Sequence, residues 1–95
     1  MKYKIKQIKN RNDYRFMNYD FAIKNGFNLN DYETVYEGHI LKENGSINNT
    51  LETLFQIFNI NRPEDFHGHS LSTSDVVELD GVNYYCDFAG WVKLD

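Results

Sequence analysis

Val76-Val77-Glu78-Leu79-Asp80-Gly81-Val82-Asn83-Tyr84-Tyr85-Cys86-Asp87 decides the fold class. Val76, Val77 and Leu79 favour a strand, Asp80-Gly81 is a two-residue hairpin signal, and Val82 to Asp87 is the returning partner. A hairpin pairs its strands antiparallel without a crossover. Downstream, Gly90 breaks the pattern, and Trp91, Val92 and Leu94 suit a terminal strand. Far upstream, residues 2 to 8 alternate Tyr3 and Ile5 against Lys2, Lys4 and Lys6, which predicts another strand. Its lysines read as the solvated face of an edge, where they discourage unwanted pairing.

Between these strands lie two helices. Asn18 can cap a short one over Tyr19 to Asn25, closed by Gly26 and held by packing of Phe21 and Phe27. The stronger one spans Thr50 to Asn59. Leu51, Leu54, Phe55 and Phe58 recur at i, i+3, i+4 and i+7, an apolar stripe along one side. Asn49 or Thr50 is its expected cap, with Ile47 stapled in front. Asn61-Arg62-Pro63 stops it. Asp31 to Ile40 is rich in strand formers, and simple alternation puts Tyr32, Thr34 and Tyr36 on one face and Val35 on the other. Asn10-Arg11-Asn12-Asp13 and Asn44-Gly45 are turn signals, and Tyr14-Arg15-Phe16 reads as a brief extended piece. The order β-α-β-α-β-β, with a possible last β, does not alternate regularly enough for a doubly wound sheet. It predicts a single α+β domain over residues 1–95: a mostly antiparallel sheet with two short helices on one face.

Length and composition agree. Ninety-five residues make one domain, and a chain of that size buries only about 60–65% of its unfolded surface. Aromatic residues are 16% of the chain, which excludes an intrinsically disordered segment. No apolar run approaches the roughly 20 residues of a membrane span, and no apolar signal core follows the N-terminal lysines. The single cysteine, Cys86, has no internal disulfide partner, so a cytoplasmic protein is expected.

Charge is uneven. The first fifteen residues carry a net +5 and the rest −9. A chain that is acidic overall is poorly suited to direct nucleic-acid binding, which depends on counterion release by clustered cations. The acidic remainder suits a basic protein surface instead.

Signals for chemistry are weak. His39, His67, His69 and Cys86 lack the spacing of a zinc site, so no metal or cofactor is expected. His67 and His69 with Ser70 and Asp75 offer the elements of a small hydrolase, but a Ser-His-Asp set within nine residues is ill placed to meet the roles of a triad. Gly68-His69-Ser70-Leu71-Ser72 lacks the closing glycine of a nucleophile elbow. Cys86, between Tyr85 and Asp87, reads as a buried thiol. Ser70, Ser72, Ser74 and Asp75 are better explained as side chains that bond nearby amides and hold an irregular loop. In that reading Pro63-Glu64-Asp65 makes one helical turn, Phe66 anchors the loop on the core, and Gly68 lies at its middle. Tyr14, Tyr19, Tyr32, Tyr36, Tyr84 and Tyr85 exceed what a small core easily takes in, and tyrosine is enriched at recognition surfaces.

Phe58-Asn59, Arg62-Pro63-Glu64-Asp65-Phe66, Gly68-His69-Ser70-Leu71-Ser72 and Ser74-Asp75-Val76-Val77 resemble the signature of the YodL-like domain. Tyr85-Cys86-Asp87 and Gly90-Trp91 are similar to that family's closing strand and turn, and Val35-Tyr36-Glu37-Gly38 resembles an earlier strand. The resemblance implies a bacterial protein of plasmids, conjugative elements or phages, where such domains accompany antirestriction-type domains. It supplies no reaction, cofactor or catalytic residue to carry over. A free-standing small acidic domain in that setting is expected to be a non-enzymatic inhibitor of a bacterial defence protein, of the anti-CRISPR or antirestriction type. Asp31, Glu33, Glu37, Glu43, Glu64 and Asp65, with Tyr32 and Tyr36, are the expected docking residues. They would face basic side chains of a nucleic-acid-binding nuclease, as a monomer or small homo-oligomer. An accessory module of a conjugative element is the alternative, and the small hydrolase a second one.

Overall fold

A computed structural model of the chain describes residues 1–9, 13–42 and 45–94. Five strands form one antiparallel sheet: β1 (Lys2–Ile8), β2 (Tyr32–His39), β3 (Val76–Leu79), β4 (Val82–Cys86) and β5 (Trp91–Lys93). Two helices, α1 (Tyr19–Lys24) and α2 (Ile47–Ile60), complete the α+β domain. The strand order is β2-β1-β3-β4-β5. The lysine-bearing strand β1 is therefore interior, flanked by β2 and β3, and not an edge. Lys6 is accordingly pinned: its Nζ donates to Glu78 Oε1 on β3 at 2.9 Å and to Asn83 Oδ1 on β4 at 2.8 Å.

The hairpin forms as its sequence dictates. Asp80 and Gly81 both take positive φ, 46° and 88°, the backbone that matches the right-handed twist of the paired strands. The helices depart from expectation in three ways. First, α2 starts earlier, because Ser46 is the cap and its Oγ accepts from the Asn49 amide at 3.2 Å. Ile47 thus joins the first turn, and Thr50 is a buried residue whose hydroxyl donates to the Ser46 carbonyl at 2.8 Å. Second, α1 is held by fully buried Ala22, while Phe21 and Ile23 lie at the surface. Third, the helices cover opposite faces. Leu51, Leu54 and Phe58 of α2 pack on Tyr3, Ile5, Val77 and Leu79. Ala22 packs with Ile8, Tyr14, Tyr32, Val76, Tyr85 and Leu94. Val76 and Val77 are adjacent in one strand and enter different cores, which requires two buried faces.

A bulge in β2 explains much of this. Ile5 pairs with Tyr36 and Lys6 with Thr34, so Val35 is an extra residue opposite β1. One extra residue reverses the face of every side chain beyond it. Tyr32 and Tyr36 therefore do not share a face: Tyr32 belongs to the α1 side and Tyr36 packs on the α2 side. Tyr14-Arg15-Phe16 is a turn, not an extended piece, with the Met17 amide bonded to the Tyr14 carbonyl at 3.0 Å and Phe16 at φ 66°. Asn10, Arg11, Asn12, Glu43 and Asn44 lie outside the described residues, and with them three residues of the first turn signal and one of the second.

Leu54 is fully buried under the sheet, whereas Ile23 is half exposed. Leu54→Ala is expected to cost about 2–5 kcal/mol of unfolding free energy, and Ile23→Ala under about 0.5 kcal/mol, as read by urea denaturation.

Candidate functional site

Gln7 belongs to the inward phase Tyr3-Ile5-Gln7 of β1 and is buried. A buried amide must find partners. Its Nε2 donates to the His69 carbonyl at 2.8 Å and to Asp75 Oδ2 at 3.1 Å. Asp75 is 1% exposed, and Oδ2 also accepts from the Ser72 amide at 2.9 Å. Asp75 Oδ1 lies 3.7 Å from His69 Nε2. His69 Nδ1 is 2.7 Å from the Ser70 carbonyl. With both Gln7 N–H groups committed, Nδ1–H donating to that carbonyl is the consistent tautomer. Nε2 then turns a lone pair towards Asp75. Burial pushes the Asp75 carboxyl up to about 8, against the opposing pull of the Ser72 amide, the Gln7 amide and the Arg15 charge. A protonated Asp75 keeps Oδ2 as the acceptor for Gln7 and Ser72 and leaves Oδ1 facing His69 Nε2, 3.7 Å away.

These bonds order the loop between α2 and β3. Phe66 packs edge-on against Phe58 at 5.0 Å and Tyr36 at 5.9 Å, and the Phe66 amide closes a turn on the Pro63 carbonyl at 3.0 Å. Asn59 Nδ2 holds the Leu71 carbonyl at 3.0 Å. The serines act individually. Ser72 Oγ donates to the Ser70 carbonyl at 2.7 Å, and Ser74 Oγ accepts from the distant Phe16 amide at 2.9 Å. Ser74 itself sits at φ 84°. Its carbonyl receives the Tyr32 hydroxyl and its amide bonds the Cys86 carbonyl at 2.9 Å. Gly68 is required by close approach: a Cβ there would stand 2.5 Å from Gln7 Oε1 and 2.9 Å from Phe66 Cζ.

An open groove of about 320 Å³ runs between β2 and this loop. Glu33, Thr34 and Val35 form one wall, His67, Gly68 and His69 the other, with Gln7 and Ile8 between them. Tyr36 ties β2 to the loop by donating its hydroxyl to Asp65 Oδ1 at 3.0 Å. Glu64 and Asp65 are exposed at the loop's turn. The other residues expected to dock do not join this cluster. Tyr32 is 8% exposed, with its hydroxyl spent on Ser74, and is a core residue. Tyr14 and Tyr85 are fully buried as well. Asp31 accepts the Tyr14 hydroxyl at 2.9 Å. Glu37, paired with Lys4, lies on the opposite face from Glu33, paired with Gln7, and Glu37 comes within 3.9 Å of Lys4 Nζ. Glu43 lies outside the described residues. Sequence reasoning missed Gln7 and Arg15. The place of Gln7 in the inward phase of a strand was the available signal; for Arg15, whose Nη2 donates to the Ile8 carbonyl at 2.7 Å, there was none.

The remaining reactive types are enclosed or apart. Cys86 is buried and its thiol is pushed up to about 12, chiefly by burial. Among the described residues no three His, Cys, Asp or Glu side chains converge as a metal-ligand set, and no helix is long and apolar enough to cross a membrane.

The YodL-like domain model matches residues 2–95. The chain belongs to the YodL-like domain family. Comparison with curated proteins and with solved structures finds no match. Within this YodL-like domain, Phe66, Gly68, Ser72, Ser74 and Asp75 hold the loop on the sheet together with Gln7 and Asn59.

Folded Asp75 keeps its proton up to about pH 8, while the unfolded carboxyl releases it near 3.8. Between those values the folded state binds more protons, so stability falls as pH rises. Asp75→Asn retains the one-acceptor, one-donor pattern and is expected to flatten that slope between pH 4 and 8, measured by urea denaturation across the range.

Proposed function

We propose that this YodL-like domain is a non-enzymatic binding protein that docks through its β2 edge and the adjoining loop onto a basic protein surface. The single observation that carries the reading is where polar groups are spent. His69 turns both ring nitrogens to groups of its own chain, Asp75 and Cys86 are buried, and the Ser72 and Ser74 hydroxyls bond backbone. The acids face outward instead. Among the described residues, no cation pairs with Glu33, Glu64 or Asp65. Among the described residues, β2 is the longest strand, eight residues, and no strand pairs on its outer side. An uncovered edge of that length is a surface for another chain.

The partner class is a nucleic-acid-binding nuclease of bacterial defence, whose cationic groove is the natural complement of these acids. Inhibition then consists of occupying that groove, as in anti-CRISPR or antirestriction proteins. The docking set is Glu33, Tyr36, Glu64 and Asp65, with Glu37 on the far side of the strand.

Affinity capture from bacterial lysate at low and high salt, followed by nuclease assays with the purified partner, tests the reading. Glu33→Lys with Asp65→Lys is expected to weaken inhibition at least about tenfold and to flatten its salt dependence. Alanine at His67, which is exposed and outside the docking set, is expected to leave inhibition intact. Capture of conjugation proteins alone, with no nuclease inhibited, would favour the accessory-module reading.

A further inference from the structure

We propose that the corner between α2 and the β4–β5 hairpin is a binding site for an arginine side chain of a partner protein. The site lies at the β5 edge, the far side of the sheet from β2, so it stands independently of the docking surface above.

A hollow of about 400 Å³ opens there. Phe55 of α2 and Trp91 of β5 form two walls, with ring centres 6.4 Å apart and planes at 83°. Phe88, on the hairpin tip, is the third aromatic and is 65% exposed. Glu52, one turn before Phe55 on α2, and Asp87 are the two acids among the residues that line the same hollow. No basic residue lines it. Among the described residues, no cation pairs with either acid.

The hairpin that carries three of these groups, Asp87, Phe88 and Trp91, is preorganised. The Asp87 amide bonds the Gly90 carbonyl at 3.0 Å, and Gly90 takes the positive φ, 85°, that the turn needs. Asp87 Oδ1 accepts from the Phe88 amide at 2.9 Å and from the Tyr19 amide at 3.1 Å. The carboxylate is thereby oriented before any ligand arrives.

Aromatic faces carry negative potential and attract cations. Two carboxylates with no cation partner among the described residues, beside three aromatic rings, reinforce that preference. An apolar side chain would cover the rings but desolvate both acids without compensation. A guanidinium satisfies both elements at once. Its plane stacks on a ring while its N–H fork donates to carboxylates, which the compact ammonium of lysine matches less well. Exposed Phe88 gains a partner in the same event.

Trp91 is the chain's single tryptophan, so its fluorescence reports on the hollow directly. The full chain is titrated with N-acetyl-arginine amide, with the neutral isostere N-acetyl-citrulline amide, and with N-acetyl-leucine amide. A saturable Trp91 response to the arginine probe alone is expected, weakened by added salt. Glu52→Gln, Asp87→Asn and Phe88→Ala are each expected to weaken it about threefold or more. Glu52 and Phe88 are exposed, and asparagine keeps the Oδ1 acceptor of Asp87, so the fold is retained in all three. An equal response to citrulline, a tighter one to leucine, or no saturable response to arginine would overturn the proposal.

Discussion

The extra residue in β2 is the constraint on which this domain is organised. β1 is paired on both sides, so its two faces are set by its own alternation. β2 must match that alternation at both ends, yet Val35 has no partner across the ladder. The pleat reverses there. Tyr36 is delivered to the core under α2, and Tyr32 to the core under α1. The same reversal separates Glu33 from Glu37, and so decides which acids line the groove. Without the bulge, Tyr32, Thr34 and Tyr36 would all turn to one face, and only one of the two cores would receive a β2 tyrosine.

The second core is aromatic. Phe27 stands edge-on to Tyr14, Tyr32 and Tyr85 at 5.8, 5.9 and 5.6 Å. Three tyrosines can be buried together because their hydroxyls find partners at the rim: Asp31, the Ser74 carbonyl and the Met17 carbonyl. Burial raises all the more strongly the cost of ionising Tyr32 and Tyr85. The loop before β3 uses the same logic with different groups. It has no ladder, so Phe66 and Leu71 supply its apolar anchors and Gln7, Ser72 and Asp75 its polar ones. A buried polar set of this kind is stable only when every member is satisfied, which ties the loop's course to a residue on β1 more than sixty positions away.

Much of the architecture was readable from local pattern. The Asp80-Gly81 hairpin, the α2 stripe, the Asn18 cap and the strand at residues 2–8 depend on residues close in sequence, whose periodicity and turn chemistry act at short range. The α2 start was misplaced because two capping types three positions apart, Ser46 and Asn49, compete, and packing of Ile47 on the core favours the earlier one. The interior place of β1 was not readable, since alternating lysines suit an edge equally well. What admits them to the interior is the polar half of the sheet face, where Glu78 and Asn83 meet Lys6.

The candidate site divides the same way. Its residue types and the ordered character of the serine loop followed from sequence, as did the family. Its geometry did not: Gln7 meets Asp75, and Tyr36 meets Asp65, only because β1 lies between β2 and β3. Sequence by itself determined the elements, because helix stripes, caps and a two-residue turn are short-range physics. Tertiary structure alone decided strand order, the bulge and the burial of Tyr32 and Asp75, because those depend on long-range pairing and on which partners can satisfy a polar group once water is gone.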